Sequence, residues 1–309
     1  MILQELVDKK LIKPPEWLPT NCHYITIMGS VAYGVSSDTS DMDLYGFAIP
    51  RKEVIFPHLA GHILVPVKND SVMYEVGFGD KPEMFGQWQQ HGVIDESQLA
   101  GKGREYDFTI FNIVKFFALL MENNPNIIDS IYTPQECVLH MTHVGNLVRE
   151  NKELFLHKGC YPKFKGYAYS QMHKMTTKNP TGKRKKIREE FGFDAKFGYH
   201  LVRLLNECEQ ILMNGTLDLR LNNEHLKAIR RGEVSEEDIR KWASDKEKQL
   251  EGLFVKSSLP AKPRREEIKG LLMECLDYHY GNLKDCIEVP DKHKNALSEI
   301  KEVMRRYEL

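Results

Sequence analysis

The six cysteines, at positions 22, 137, 160, 208, 275 and 286, include no Cys-x-x-Cys pair. That spacing excludes a zinc ribbon and offers no disulfide framework, so reduced thiols in a cytoplasmic compartment are expected. Long apolar runs are missing too. Ile110 to Met121 comes closest, but Asn112 and Lys115 interrupt it and it falls short of the about 20 residues a membrane helix needs. The first residues carry Glu5, Asp8, Lys9 and Lys10 where a signal peptide would need an apolar stretch, so neither secretion nor membrane association is expected. Net charge is nearly absent: 43 Lys and Arg face 44 Asp and Glu, which excludes a globally basic nucleic-acid binder and leaves local patches to be read by segment. No internal repeat and no low-complexity tract is present. What remains is 309 residues of ordinary globular composition, 41% hydrophobic and 28% charged, long enough for two domains.

The two halves have different rhythms. Strand-like runs occur at Ile25 to Met28, Leu44 to Ile49, Val72 to Val76 and Tyr106 to Phe111, separated by loops that include Phe56 to Pro66 and Gly77 to Gly103. From Asn112 the spacing of Ile113, Phe116, Phe117 and Leu120 is helical and stops at Asn123-Asn124-Pro125, with a short helix to follow over Ile127 to Tyr132. Beyond Pro134 helices are expected at Val144 to Phe155, Phe164 to Met175, Ala195 to Met213, Ser235 to Leu253 and Arg264 to Tyr280. The expected architecture is α+β: a small mixed sheet in residues 1–133, then an all-helical domain in 134–309.

The chemistry concentrates in Met28-Gly29-Ser30 followed, after ten intervening residues, by Asp41-Met42-Asp43-Leu44. Side chains alternate along a strand, so Asp41 and Asp43 share one face while Met42 and Leu44 point into the core. Two carboxylates on one spot form an oxygen-only, doubly negative site. Such a site suits Mg²⁺, with Mn²⁺ as a substitute, and two such ions about 4 Å apart clamp both oxygens of an in-line phosphoryl displacement. Gly29-Ser30, between a strand and a short helical segment, offers backbone N–H groups and a hydroxyl to the phosphates of a nucleotide. Ser40 reads as a loop hydroxyl holding the turn into Asp41. Two readings stand for Tyr33: packing, or facing the nucleotide.

The string GSVAYGVSSDTSDMDLYGF resembles the Gly-Ser…Asp-x-Asp signature of the DNA polymerase β nucleotidyltransferase superfamily. More narrowly, it resembles the RNA-repair-associated nucleotidyltransferases of bacteria and their phages. Further similarity lies in NIVKFFALLMENNPNIID, KGYAYSQMHKM and DAKFGYHLVRLLNECEQILMNGTLDLR, so the likeness spans about residues 22 to 255. It implies transfer of a nucleoside monophosphate from a nucleoside triphosphate to a hydroxyl, with release of pyrophosphate. It also implies a third acid from a later strand. Asp107 in REYDFTIF is the candidate, because alternation sets Glu105, Asp107 and Thr109 on the face opposite Tyr106, Phe108 and Ile110. Glu105 and Glu75 are its rivals.

Between Tyr161 and Arg203 eleven Lys and Arg stand against three acids, with Tyr161, Phe164, Tyr167 and Tyr169 interleaved. Such a mixture holds polyphosphate, stacks a base or follows an RNA backbone, although a solvated lysine-rich loop explains Lys183 to Lys186 equally well. Lys196, His200 and Arg203 share a helix face and are expected to contact the triphosphate. His140 and His143 lack a partner ligand nearby, and Trp88 is either a lid or a packed anchor. The reading is therefore a Mg²⁺-dependent nucleotidyltransferase acting on an RNA or tRNA end. Its alternatives are a non-catalytic, antitoxin-like nucleotide- or RNA-binding partner, and transfer to a protein or small molecule.

Overall fold

A computed structural model describes residues 2–36, 40–55, 64–66, 73–75, 85–96, 103–177, 183–281 and 304. The strands are β1 (Cys22–Ile27), β2 (Met42–Ala48), β3 (Leu64–Pro66), β4 (Met73–Glu75), β5 (Gln87–Asp95), β6 (Arg104–Asn112) and β7 (Val138–Met141). The helices are α1 (Ile2–Asp8), α2 (Leu18–Asn21), α3 (Gly29–Ala32), α4 (Lys52–Ile55), α5 (Ile113–Met121), α6 (Pro125–Tyr132), α7 (His143–Glu150), α8 (Cys160–Thr177), α9 (Lys183–Phe191), α10 (Ala195–Asn214), α11 (Asn223–Arg230), α12 (Glu236–Lys256) and α13 (Arg265–Tyr280). The α+β class expected from the sequence is the class observed.

Five strands form a mixed sheet in the order β5-β6-β2-β1-β7, with β2 and β6 parallel and the other neighbours antiparallel. Alternation governs β2: Met42 and Leu44 are buried, Asp43 and Tyr45 half-exposed. α5 begins where the Asn112 side chain accepts from the Val114 N–H at 2.8 Å. It then lays Phe116 on the sheet, with ring centroids 4.9 Å from Phe47 and 6.1 Å from Phe111. The C-terminal end of α6 is tied to β1 by buried hydroxyls, Thr26 to Thr133 at 2.6 Å and Tyr24 to the Ser130 carbonyl at 2.7 Å.

α10 is buried along most of its length and packs against α8, α11 and α12. Asp194 caps its first turn and Gly215, at φ 64°, ends it. α12 starts as its sequence suggests, with Ser235 accepting from the Asp238 N–H and three acids in the first turn.

Three strands depart from the sequence reading, the first being β3, which ends the expected loop Phe56 to Pro66. β5 lies inside the stretch expected to be a loop, because its mostly polar QWQQHGVID lacks an apolar alternation. β7 lies beyond Pro134, where only helices were expected, and pairs with β1. The chain divides into one compact unit of residues 1–49 and 86–272 and another of 50–85 and 273–309. The boundary expected at 133/134 falls inside the first unit. Within the second, β3 and β4 pair, and the Tyr280 hydroxyl donates to the Pro50 carbonyl at 2.6 Å. Lys301 to Leu309, expected as an exposed helix end, lies outside the described residues apart from Met304.

Candidate active site

β1 runs into a turn at Gly29, whose φ of +66° favours glycine. The Met28 N–H donates to the Asp43 carbonyl at 2.7 Å, which clips the turn to β2. A Cβ on Gly29 would stand 2.2 Å from Asp43 Oδ2. Glycine is therefore needed twice, for its dihedral and for the room it leaves the carboxylate.

Asp43 is paired in register with Asp107 on the parallel strand β6, so the two acids occupy adjacent positions on one face. Asp41 lies exposed just before β2, and half-buried Ser40 precedes it. Asp107 Oδ1 accepts from the Gly92 N–H at 2.8 Å and lies 3.4 Å from His91 Nδ1. Both partners come from the irregularity of β5 between Gln90 and Val93. Burial raises the Asp43 pKa; Lys196 opposes the shift, Asp107 and Asp41 add to it, and His91 opposes it. Asp43 thus feels both other acids, yet among the described residues no three His, Cys, Asp or Glu side chains form a metal-holding cluster. Of Asp107's rivals, Glu105 is exposed, and the Glu75 side chain lies outside the described residues.

A cleft of about 710 Å³ opens beside the turn. Gly29, Tyr33, Asp43 and Tyr45 form one wall; Lys163, Tyr167, Ser170, Gln171 and Lys174 of α8 form another, with His200 and Arg203 from α10. The α8 residues fall on one face because they recur at helical spacing. Half-buried Ser30 and exposed Lys196 lie outside this lining.

Residues 4–274 match the family described as the RNA repair pathway DNA polymerase beta family, RlaP. The chain belongs to this family. No curated protein matches it. Membership makes it a polymerase-beta-like member of an RNA repair pathway.

Within this RlaP chain one of the three α10 residues, Arg203, has partners that the sequence did not suggest. Arg203 is buried and does not stand free for a triphosphate. It is ion-paired with Asp129, bonds Glu207 at 2.9 Å, and lies 4.3 Å over the Tyr33 ring. The Tyr33 hydroxyl donates to Asp129 at 2.9 Å while its ring forms part of the cleft wall, an arrangement that fits both packing and facing a nucleotide. One guanidinium serves two buried acids, and burial pushes Glu207 well above the usual carboxylate range. Spacing alone put Arg203 beside Lys196 and His200; it gave no sign of Asp129, 74 residues away in sequence.

Two further arginines hold the segment after the turn. Arg220 donates from Nε to the Ala32 carbonyl at 3.3 Å and from its terminal nitrogen to Val31 at 3.4 Å, while pairing with Glu136. Arg230 donates to the Val35 carbonyl at 2.5 Å. Neither was singled out from the sequence, where an arginine that grips main-chain carbonyls looks like any surface cation. Trp88 packs 5.6 Å from Phe108, and His140 bonds the Cys22 carbonyl at 3.0 Å, so both are structural. Lys183 to Lys186, for which a solvated loop and RNA contact stood level, begin the helix α9. The five described cysteines are free thiols, and among the described residues no helix is long and apolar enough to cross a membrane.

Proposed function

We propose that the protein is a Mg²⁺-dependent nucleotidyltransferase of the cytoplasm that moves a nucleoside monophosphate from a nucleoside triphosphate to the hydroxyl of an RNA end. The observation that carries this is the pairing of Asp43 with Asp107 across β2 and β6, directly against a glycine turn at the edge of the cleft. The donors are all carboxylate oxygens, and the charge of Asp43 is penalised by burial and by its acidic neighbours, which is the chemistry that a hard divalent cation relieves. Asp41, Asp43 and Asp107 would hold Mg²⁺ or Mn²⁺. When bound, the ion supplies Lewis-acid stabilisation of the phosphoryl oxygens.

The chain's own residues do the rest. The Gly29 backbone, with Ser30 beside it, lets the phosphates approach closely, and Lys196 and His200 offset their charge. The acceptor hydroxyl oxygen attacks the α-phosphorus in line, the bond to the bridging oxygen breaks, and pyrophosphate leaves. The proton of the hydroxyl passes to a carboxylate, for which Asp107 is placed. Lys174, together with Lys163, whose amine is paired with Glu122 at 2.9 Å, gives the cleft a basic side suited to an RNA backbone. Replacing Asp41 and Asp43 by Asn should abolish pyrophosphate release from triphosphates while the fold persists; undiminished release refutes the assignment.

One observation favours a second reading, a nucleotide-binding partner without turnover. The Asp107 carboxylate is engaged by Gly92 and His91, and the acids do not converge as a cluster. Under that reading the acid-to-Asn variants keep full biological activity.

A further inference from the structure

Gly166 sits in the middle of α8 and lines the cleft. Glycine is among the poorest helix formers, so a mid-helix glycine is usually explained by close packing or by a positive φ. Neither applies. A Cβ at Gly166 would meet nothing within 4 Å among the described residues, and its φ is not positive. Gly198 on α10 is the contrasting case, where a Cβ would press on Phe193 at 3.1 Å and Ile239 at 3.2 Å. Gly252 and Gly270 are as open as Gly166 but do not line the cleft.

Gly166 shares the cleft with an aromatic ring and two carboxamides. Tyr167 lines the cleft with its hydroxyl held by Asn124 at 3.0 Å. Asn126 of α6 and Gln171 of α8 bring carboxamides, each with a donor and an acceptor, to the same space. We propose that Gly166 is the floor of a slot for the planar base of the bound nucleotide, with Tyr167 beside the ring and Asn126 and Gln171 reading its edge. This assignment rests on the nucleotidyltransferase reading and extends it to base recognition. The missing side chain keeps the slot open, and helix propensity is given up for that space.

The test compares wild type, Gly166→Ala, Gly166→Leu and the control Gly252→Leu. Binding is measured calorimetrically with Mg²⁺ for the α,β-methylene analogues of ATP, GTP, CTP and UTP, and for inorganic tripolyphosphate. Gly166→Leu should weaken the best-binding analogue at least about tenfold while tripolyphosphate stays within about twofold. Gly166→Ala should raise the melting temperature by about 2 °C, showing that the glycine is not kept for stability. Gly252→Leu should leave all binding unchanged. If Gly166→Leu binds the analogues as wild type does, or loses tripolyphosphate equally, the slot is overturned and the nucleotidyltransferase reading stands. If wild type binds neither analogue nor tripolyphosphate, both fall.

Discussion

Replacing Gly29 by Ala separates the fold from the chemistry. The φ of +66° places an alanine in the left-handed region, at a cost of about 1–2 kcal/mol. For a chain of this size that lowers the melting temperature by about 2–8 °C, which leaves it folded at room temperature. The second effect is local. The new methyl would lie 2.2 Å from Asp43 Oδ2, so the carboxylate must retreat. Ordinary contact requires a shift of about 1 Å, and a misplacement of that size in a reacting constellation costs on the order of 100-fold in rate. Gly29→Asn is the informative companion, because asparagine tolerates the left-handed region yet carries the same Cβ. Both variants should therefore lose pyrophosphate release by about 100-fold, while Gly29→Asn melts closer to wild type. Scanning calorimetry and a coupled phosphate assay read the two effects. Full turnover in either variant would refute the claim that the turn and Asp43 act as one unit.

Other expectations follow from the same geometry. Asp43 has a raised pKa, so its ionisation penalises the folded state as pH rises from its ordinary value of 3.8 through the folded value. Without Mg²⁺, Asp43→Asn should melt above wild type at pH 7, and the difference should vanish at acid pH; a lower melting temperature contradicts this. Arg203→Met leaves Asp129 and Glu207 buried without their cation and should cost about 3–5 kcal/mol in urea unfolding, whereas a loss below about 1 kcal/mol would deny the lock. Arg220→Ala should change stability by no more than about 1.5 kcal/mol but weaken triphosphate binding about tenfold by calorimetry, since it holds carbonyls of the turn segment. Equal affinity would reduce Arg220 to a surface ion pair.

The sequence exposed the parts of this protein that depend on local periodicity. Asp43 could be placed because Met42 and Leu44 alternate with it, and α5 announced itself through the helical spacing of Ile113, Phe116, Phe117 and Leu120. Partnerships across the chain were invisible. Asp129 reads as one acid in a short helix until Arg203 and Tyr33 are seen around it. β5 hides because its side chains are largely polar, yet its irregularity at His91 and Gly92 is what holds Asp107. Gly166 carries no pattern at all; it becomes meaningful when the empty space above it is found. The basic count between Tyr161 and Arg203 indicated a cationic region but not its division: Lys163, Lys174 and Arg203 all line the cleft, and Arg203 is also paired with the buried Asp129 and Glu207.

The most direct test is to incubate the purified protein with each α-labelled triphosphate, Mg²⁺ and cellular RNA, alongside Asp43→Asn. Transfer of the label to RNA by wild type, with pyrophosphate released in equal amount and neither product formed by the variant, is the predicted result. Labelling that survives in Asp43→Asn, or none in wild type with any of the four triphosphates, would contradict it.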